Sequence, residues 1–256
     1  MVTATIPDLL RLLVVPVFGW AAYRDIKTRR VPNRTWAPLA GLGLLLLAWD
    51  LWLVTTGGTV LFTTLEAFLL RTAISVGFVV PFAYFFWRLG GFGGADAKAL
   101  MTLAIVFPTY PHFLFEGTTL PVVESAIGVF SLTILSNTVL AGAVYPVGMA
   151  LRNAVGGDVS RLMVIGRRAP ADDEESAEGP EFDDPWGAEA FFEDVGGPLY
   201  GTGPDTLREG LEVLTTSERV WYSPGLPFIV PMFGGLLISL TAGDVLIWLL
   251  GLAGLA

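Results

Sequence analysis

The chain has 256 residues, of which 53% are hydrophobic and only 15% are charged. Soluble domains carry roughly 25% charged residues, so this composition favours a protein that lies mostly inside a membrane. Cysteine is absent and His112 is the one histidine, which excludes disulfides, thiolate sites and any site with two histidines. The net charge of −9 leaves no large basic face for phosphates, so we expect no nucleic-acid partner.

Six apolar stretches approach the roughly 20 residues that a helix needs to cross a bilayer. They run from about Ile6 to Tyr23, Trp36 to Val54, Thr72 to Trp87, Ala97 to Phe115, Leu120 to Leu151, and Leu226 into the C-terminal region. Pro108 and Pro111 are expected to bend or end the fourth stretch. No cleavable leader is evident, so the first stretch is expected to remain as a span.

The charged residues divide the chain into segments. Fifteen of the 24 acidic residues lie between residues 171 and 220, and the segment from Ala171 to Asp184 is typical of a flexible acidic linker. The sequence therefore predicts an all-α polytopic membrane helix bundle with one small acidic insert. Its predicted parts are a membrane domain at 1–151, an acidic cytoplasmic insert at 152–222 and a final transmembrane span at 223–256.

Lysine and arginine set the predicted orientation, because positively charged flanks stay in the cytoplasm. With the N-terminus outside, thirteen of the fifteen basic residues fall in cytoplasmic segments, and only Arg11 and Arg71 fall elsewhere. Lysine itself is scarce, with two residues against thirteen arginines. An acid-rich, lysine-poor composition is typical of proteins that work at high salt, so we expect a halophilic source.

Two aspartates stand at predicted helix ends on the cytoplasmic side. Asp25 ends the first span and Asp96 opens the fourth, after a glycine-rich run from Gly90 to Gly94. An ionisable group this close to the hydrocarbon is costly, which makes it a candidate functional group. Each has a simpler interpretation, since Asp25 suits an ion pair with neighbouring basic residues and Asp96 suits a helix N-cap. The glycine run lacks the spacing of a phosphate-binding loop.

The two runs together resemble the motifs of the type IV prepilin peptidases. Asp25-Ile26-Lys27-Thr28-Arg29-Arg30-Val31-Pro32-Asn33 is similar to their first motif, and Gly93-Gly94-Ala95-Asp96-Ala97-Lys98 to their second. Ala95 stands where bacterial members have glycine, and archaeal members, including preflagellin peptidases, accept such a residue. The run from Ser223 to Phe228 also resembles archaeal members. The resemblance, with the composition, indicates a haloarchaeal member of this family.

The resemblance implies a membrane aspartic protease with Asp25 and Asp96 as catalytic residues. Supporting roles fall to Gly93, Gly94, Ala95, Lys98, Lys27, Arg29, Arg30, Pro32 and Asn33. Two carboxyls in one site share a proton and need neither a metal nor a cofactor. The implied substrates are pilin and archaellin precursors, in which a basic leader precedes a hydrophobic helix, cut at the cytoplasmic face of the bilayer. Because the zinc segment of bacterial relatives needs cysteine, we expect peptidase activity without N-methylation.

Other interpretations stay open at this stage. A small transporter that uses the two aspartates as proton or cation sites is one alternative, and a non-catalytic membrane scaffold is another. Asp244 is the competing acid, and we expect it at the outer surface, after the last span. Lys98 either tunes Asp96 or holds a helix end, and His112 is expected to be inert in an outer loop.

Overall fold

The computed structural model describes residues 2–28, 30–57, 64–89, 91–164, 166–170, 189–191, 219–223 and 227–254. The chain separates into two units, one formed by Met1–Ala141 with Pro227–Ala256 and the other by Gly142–Leu226. The predicted boundaries at residues 151 and 222 stay predictions, and the predicted linker from Ala171 to Asp184 lies outside the described residues.

Most of the described residues are helical, as expected for an all-α membrane protein. The helices are α1 (Ile6–Arg11), α2 (Val14–Thr28), α3 (Trp36–Thr55), α4 (Leu65–Ile74), α5 (Val80–Arg88), α6 (Gly94–Val106), α7 (Phe130–Val155), α8 (Ile229–Thr241) and α9 (Val245–Leu252). Short 3-10 helices cover Asn33–Thr35 and Arg161–Val164, and a π-helical turn covers Ser75–Val79.

Within the described residues, four helical segments are long and apolar enough to cross a bilayer, so the chain is a multi-pass membrane protein. They are Ile6–Thr28, Asn33–Thr55, Leu65–Arg88 and Phe130–Val155. The predicted count of six spans is not confirmed. The predicted fourth span contains a helix of 13 residues, and the last apolar stretch forms two helices of 13 and 8 residues.

Three predicted span limits were wrong. Helix α6 ends at Val106 and not near Phe115, because Phe107 leaves the helical region (φ −124, ψ 61) just before Pro108. The predicted start of the fifth span near Leu120 lies in a strand, and α7 begins only at Phe130. The third helical segment begins at Leu65 and not near Thr72, since Glu66 and Arg71 are accommodated within its first turns.

In the part of the chain that the structure describes, two small antiparallel sheets accompany the helices. In the first unit, β1 (Val2–Thr3), β2 (Phe113–Phe115) and β3 (Thr118–Leu120) pair in that order, and Phe113 lies opposite Leu120. In the second unit, β4 (Arg167–Pro170), β5 (Glu189–Phe191) and β6 (Arg219–Ser223) form a sheet with β6 in the centre.

Helix α6 lies in the core of the first unit. Its buried side chains include Leu100 and Leu103, which belong to the same apolar cluster as Phe18 of α2 and Met232 of α8. Helix α3 approaches α6 closely at Gly43, where an added Cβ would lie 2.8 Å from the Val106 side chain. A small residue at the contact lets two helix backbones approach, so α6 is held tightly on this side.

A buried ion cluster fastens the C-terminal end of α6. The Arg11 guanidinium donates hydrogen bonds to Asp8 (2.8 Å), to Asp50, and to the backbone carbonyl of Val106 (2.8 Å). All three charged side chains are buried. We call Asp8, Arg11 and Asp50 the Arg11 cluster. Asp8 and Arg11, the charged residues that interrupt the first apolar stretch, thus have hydrogen-bond partners on α1, α3 and α6.

Candidate active site

Asp25 lies in the last turns of α2, and its side chain is 7% exposed. The chain turns back immediately after this helix. Arg24 Nε donates a hydrogen bond to the carbonyl of Arg30 (3.0 Å), and Thr28 Oγ1 donates to the carbonyls of Arg24 (3.0 Å) and Arg30 (3.2 Å). These bonds close the turn, so the residues that follow it return to the carboxyl end of α2.

Asp96 lies in the first turn of α6. Its Oδ2 accepts a hydrogen bond from the backbone N–H of Gly93 (3.1 Å), three residues earlier. The predicted N-cap role is thus displaced by three positions, because Gly93 is the N-cap and Asp96 reaches back to it. A Cβ at position 93 would lie 2.7 Å from this oxygen, so any larger residue there would have to displace the Asp96 carboxyl.

Aromatic packing anchors the glycine-rich loop. The Phe92 ring lies 5.4 Å from Phe86 of α5 and 5.0 Å from Phe228, centroid to centroid. Offset and tilted ring pairs at this separation are favourable. The side chain between Gly91 and Gly93 is therefore fixed to two other elements, and the Gly93 N–H is held at the start of α6.

The two aspartates line the same cavity, whose volume is about 520 Å³. It is lined by Arg24, Asp25, Arg30, Val31, Pro32, Asn33, Gly93, Gly94, Ala95 and Asp96. The end of α2, the turn after it and the start of α6 thus contribute to one polar site. Asp25 and Asp96 are about 70 residues apart in the sequence, and the packing of the helices brings their two motifs together.

The electrostatics of the cavity act strongly on Asp96. Burial raises the pKa of its carboxyl, the charge of Asp25 raises the pKa further, and the Gly93 N–H lowers it, which leaves a pKa of about 7. Asp96 lies outside the four candidate spans. Two acids that repel one another in a poorly hydrated site favour a shared proton. Asp96 is therefore the carboxyl that retains a proton up to about neutral pH.

Lys98 joins the two motifs directly. Its ammonium group donates a hydrogen bond to Asn33 Oδ1 (2.8 Å), which lies 65 residues earlier in the chain. Of the two interpretations that the sequence left open for Lys98, this contact favours a holding role. The contact pairs the last residue of the first motif with the last residue of the second.

The other predicted supporting residues divide into three groups. Arg30, Pro32, Asn33, Gly93, Gly94 and Ala95 line the cavity. Lys27 is exposed, with its ammonium 6.0 Å from the centre of the Tyr23 ring, and it does not line this cavity. Arg29 lies outside the described residues. Arg24 and Val31 line the cavity although we did not predict them as site residues. The available signal was that Val31 lies within the first motif and Arg24 directly before it.

The competing acid Asp244 is not at the surface, so that expectation was wrong. It is 6% exposed and caps α9, accepting hydrogen bonds from the Ile247 N–H (3.1 Å) and from Thr133 Oγ1 (3.0 Å). The N-terminal end of a helix stabilises such a carboxylate, which gives Asp244 a structural role. His112 contacts Glu124 through Nε2 (2.9 Å), and neither residue lines the cavity.

Comparison with known proteins identifies the family. The family model of the type IV leader peptidases matches residues 12–147, which include both aspartates and more than half of the chain. The chain belongs to this family. It is 32% identical over 125 residues to the prepilin peptidase EppA of Methanothermobacter thermautotrophicus, a match that covers 48% of this chain and 30% of that relative.

A second relative of the leader peptidase family aligns over nearly its whole length. The preflagellin peptidase of Methanococcus voltae is 26% identical over 232 residues, which covers 88% of this chain and 91% of that protein. Both sources are archaea, in agreement with the archaeal branch indicated by Ala95. The predicted halophilic source stays a prediction.

Proposed function

We propose that this protein is an aspartic endopeptidase that removes the leader of type IV pilin-like precursors at the cytoplasmic membrane face. The observation that carries the proposal is the pair of carboxyl groups, Asp25 and Asp96, on the wall of one cavity. Its volume of about 520 Å³ has room for a water molecule and a stretch of extended peptide. The names of the two relatives support pilin and archaellin precursors as the substrates.

The unequal environments of the two acids suggest their roles in hydrolysis. Because its pKa is raised to about 7, Asp96 is the acid that carries the shared proton up to about neutral pH. Asp25 is then the general base that takes a proton from water, while Asp96 donates its proton to the scissile carbonyl oxygen. When the tetrahedral intermediate collapses, the C–N bond breaks, Asp25 returns a proton to the leaving amine, and Asp96 regains its own.

The proposed topology places this cavity on the cytoplasmic side, with the N-terminus outside. Its support is the distribution of lysine and arginine, since the turn after Asp25 and the loop before Asp96 lie among cytoplasmic basic residues. The hydrophobic helix of a precursor would stay in the bilayer while its leader enters the cavity from the cytoplasm. Such a geometry exposes the junction between leader and helix to the two carboxyls.

Co-expression with a pilin precursor tests the proposal. We expect wild-type protein to convert the precursor to a shorter product, and Asp25→Asn or Asp96→Asn to abolish conversion while the protein remains in the membrane fraction. Glu66→Gln is the matched control, because this exposed acid lies in the first turn of α4, outside the cavity. Full conversion by either aspartate variant would refute the assignment of the two acids, and no conversion by the wild-type protein would favour the transporter or scaffold interpretation.

A further inference from the structure

We infer that Lys98 and Asn33 are a positioning pair that fixes the separation of the two catalytic carboxyls. This inference rests on the proposed function and adds to it how the two motifs are held at a fixed distance from one another. The Lys98 ammonium donates to Asn33 Oδ1 at 2.8 Å. Asn33 lines the catalytic cavity, so the contact lies at its edge.

The position of Lys98 on α6 argues against direct action on Asp96. Residues i and i+2 of a helix do not face one another, so the two side chains leave α6 in different directions. The shift in the pKa of Asp96 has other causes, namely burial, the charge of Asp25 and the Gly93 N–H. The ammonium of Lys98 instead donates its hydrogen bond to Asn33 of the first motif.

The position of Asn33 explains what the contact would control. The turn from Arg30 to Asn33 connects the carboxyl end of α2, which bears Asp25, to the start of α3. At the other side of the contact, Lys98 is part of the rigid first turns of α6, which bear Asp96. A hydrogen bond between the two therefore limits how far the turn can move from α6. A charge-assisted bond is suited to this, because it is stronger than a neutral one.

Side-chain hydrogen bonds fasten the beginning of this turn to α2. Arg24 and Thr28 tie the carbonyl of Arg30 to α2, which fixes the beginning of the turn. Asn33 stands at the other end, where the 3-10 helix Asn33–Thr35 leads into α3 and its own side chain is exposed. Its link to Lys98 joins this end to α6, so the turn is fastened to both carboxyl-bearing helices.

Steady-state kinetics on a purified pilin precursor test the pair with a double-mutant cycle. Asn33→Ala and Lys98→Met each remove the hydrogen bond, but only Lys98→Met removes a charge. We expect each to lower kcat on the order of tenfold with KM little changed, because misplacement of reacting groups acts mainly on the chemical step. The double variant should be no slower than either single variant.

Two further variants separate positioning from general damage. Asn33→Asp keeps an acceptor for Lys98 and should restore most of kcat. Arg34→Ala removes an exposed cation next to Asn33 and should keep wild-type rates. The alkaline limb of the pH profile should stay in place in Asn33→Ala. Thermal melting of every variant shows whether the fold is retained.

Several results would overturn the inference. Multiplicative losses in the double variant would show that the residues act independently. Wild-type kcat in Asn33→Ala, together with a displaced pH profile in Lys98→Met, would assign Lys98 to tuning the charge of the site. Failure of the proposed function is distinguishable, since it would appear as precursor cleavage by Asp25→Asn or Asp96→Asn, whatever the behaviour of the pair.

Discussion

Replacing Asp96 by asparagine should make the protein inactive and, at alkaline pH, more stable. The pKa of Asp96 rises from 3.8 to about 7 in the folded protein. Between these values the folded state keeps a proton that the unfolded state has lost, so folding stability decreases as pH rises through this window. Asparagine has no proton to lose, and its Oδ1 can still accept the Gly93 N–H.

The magnitude follows from the size of the shift. At about 1.4 kcal/mol per pKa unit, ionised Asp96 costs up to about 4 kcal/mol above pH 7. Contact with water in the cavity reduces this, and we expect about 2–4 kcal/mol. For a protein of this size, 1 kcal/mol shifts the melting temperature by roughly 2–4 °C, so Asp96→Asn should melt about 5–15 °C higher at pH 8.

Thermal melting in detergent at pH 4 and pH 8 is the assay. The gain of Asp96→Asn over wild type should be near zero at pH 4 and complete at pH 8, and titrating groups that do not interact with Asp96 cancel in the comparison. Glu66→Gln, which removes an exposed acid, should show no such gain. An equal melting temperature for Asp96→Asn and wild type at pH 8 would refute the proposed burial and repulsion at Asp96.

Two further substitutions test the supports of the site. Gly93→Ala should reduce cleavage more than tenfold without loss of membrane insertion, because the new Cβ would lie 2.7 Å from Asp96 Oδ2. Gly41→Ala is the control, and it should be neutral in the same cleavage assay because the space around Gly41 is open. Arg11→Leu should cost about 3–5 kcal/mol in unfolding experiments, because it leaves the two carboxylates of the Arg11 cluster buried without their cation. Exposed Arg34→Leu is its control, and equal losses in the two variants would contradict a special role for Arg11.

Short motifs made the candidate site predictable from the sequence. Asp25 and Asp96 each stand at a helix end, and positive flanks put both ends on one predicted side of the membrane. Gly93 precedes Asp96 by three residues, so its place beside this acid was visible in the sequence. The contact between Lys98 and Asn33 was not predictable, because it depends on how α6 packs beside α3, and packing is decided by residues between the motifs.

The limits of the helices were less predictable because hydropathy does not distinguish helix from other apolar structure. The residues from Phe113 to Leu120 are apolar enough to extend a span, yet they form a hairpin closed by Gly117 with a positive φ. Hydropathy also does not show whether a charged residue in an apolar stretch has a buried partner. In the sequence, Arg11 interrupts the first apolar stretch. Its burial is explained by its hydrogen bonds to the distant Asp50 carboxylate and to the backbone at the end of α6.

Helix α6 connects these observations, because it is fastened at both ends. At its C-terminal end Arg11 binds the carbonyl of Val106, and at its N-terminal end Lys98 binds Asn33. A helix of 13 residues is about 20 Å long and resists axial compression, so a displacement at one end is transmitted to the other. We therefore expect the depth of Asp96 relative to Asp25 to depend on both contacts. It follows that substitutions in the Arg11 cluster should lower precursor cleavage as well as stability, although the cluster does not line the cavity that holds Asp25 and Asp96.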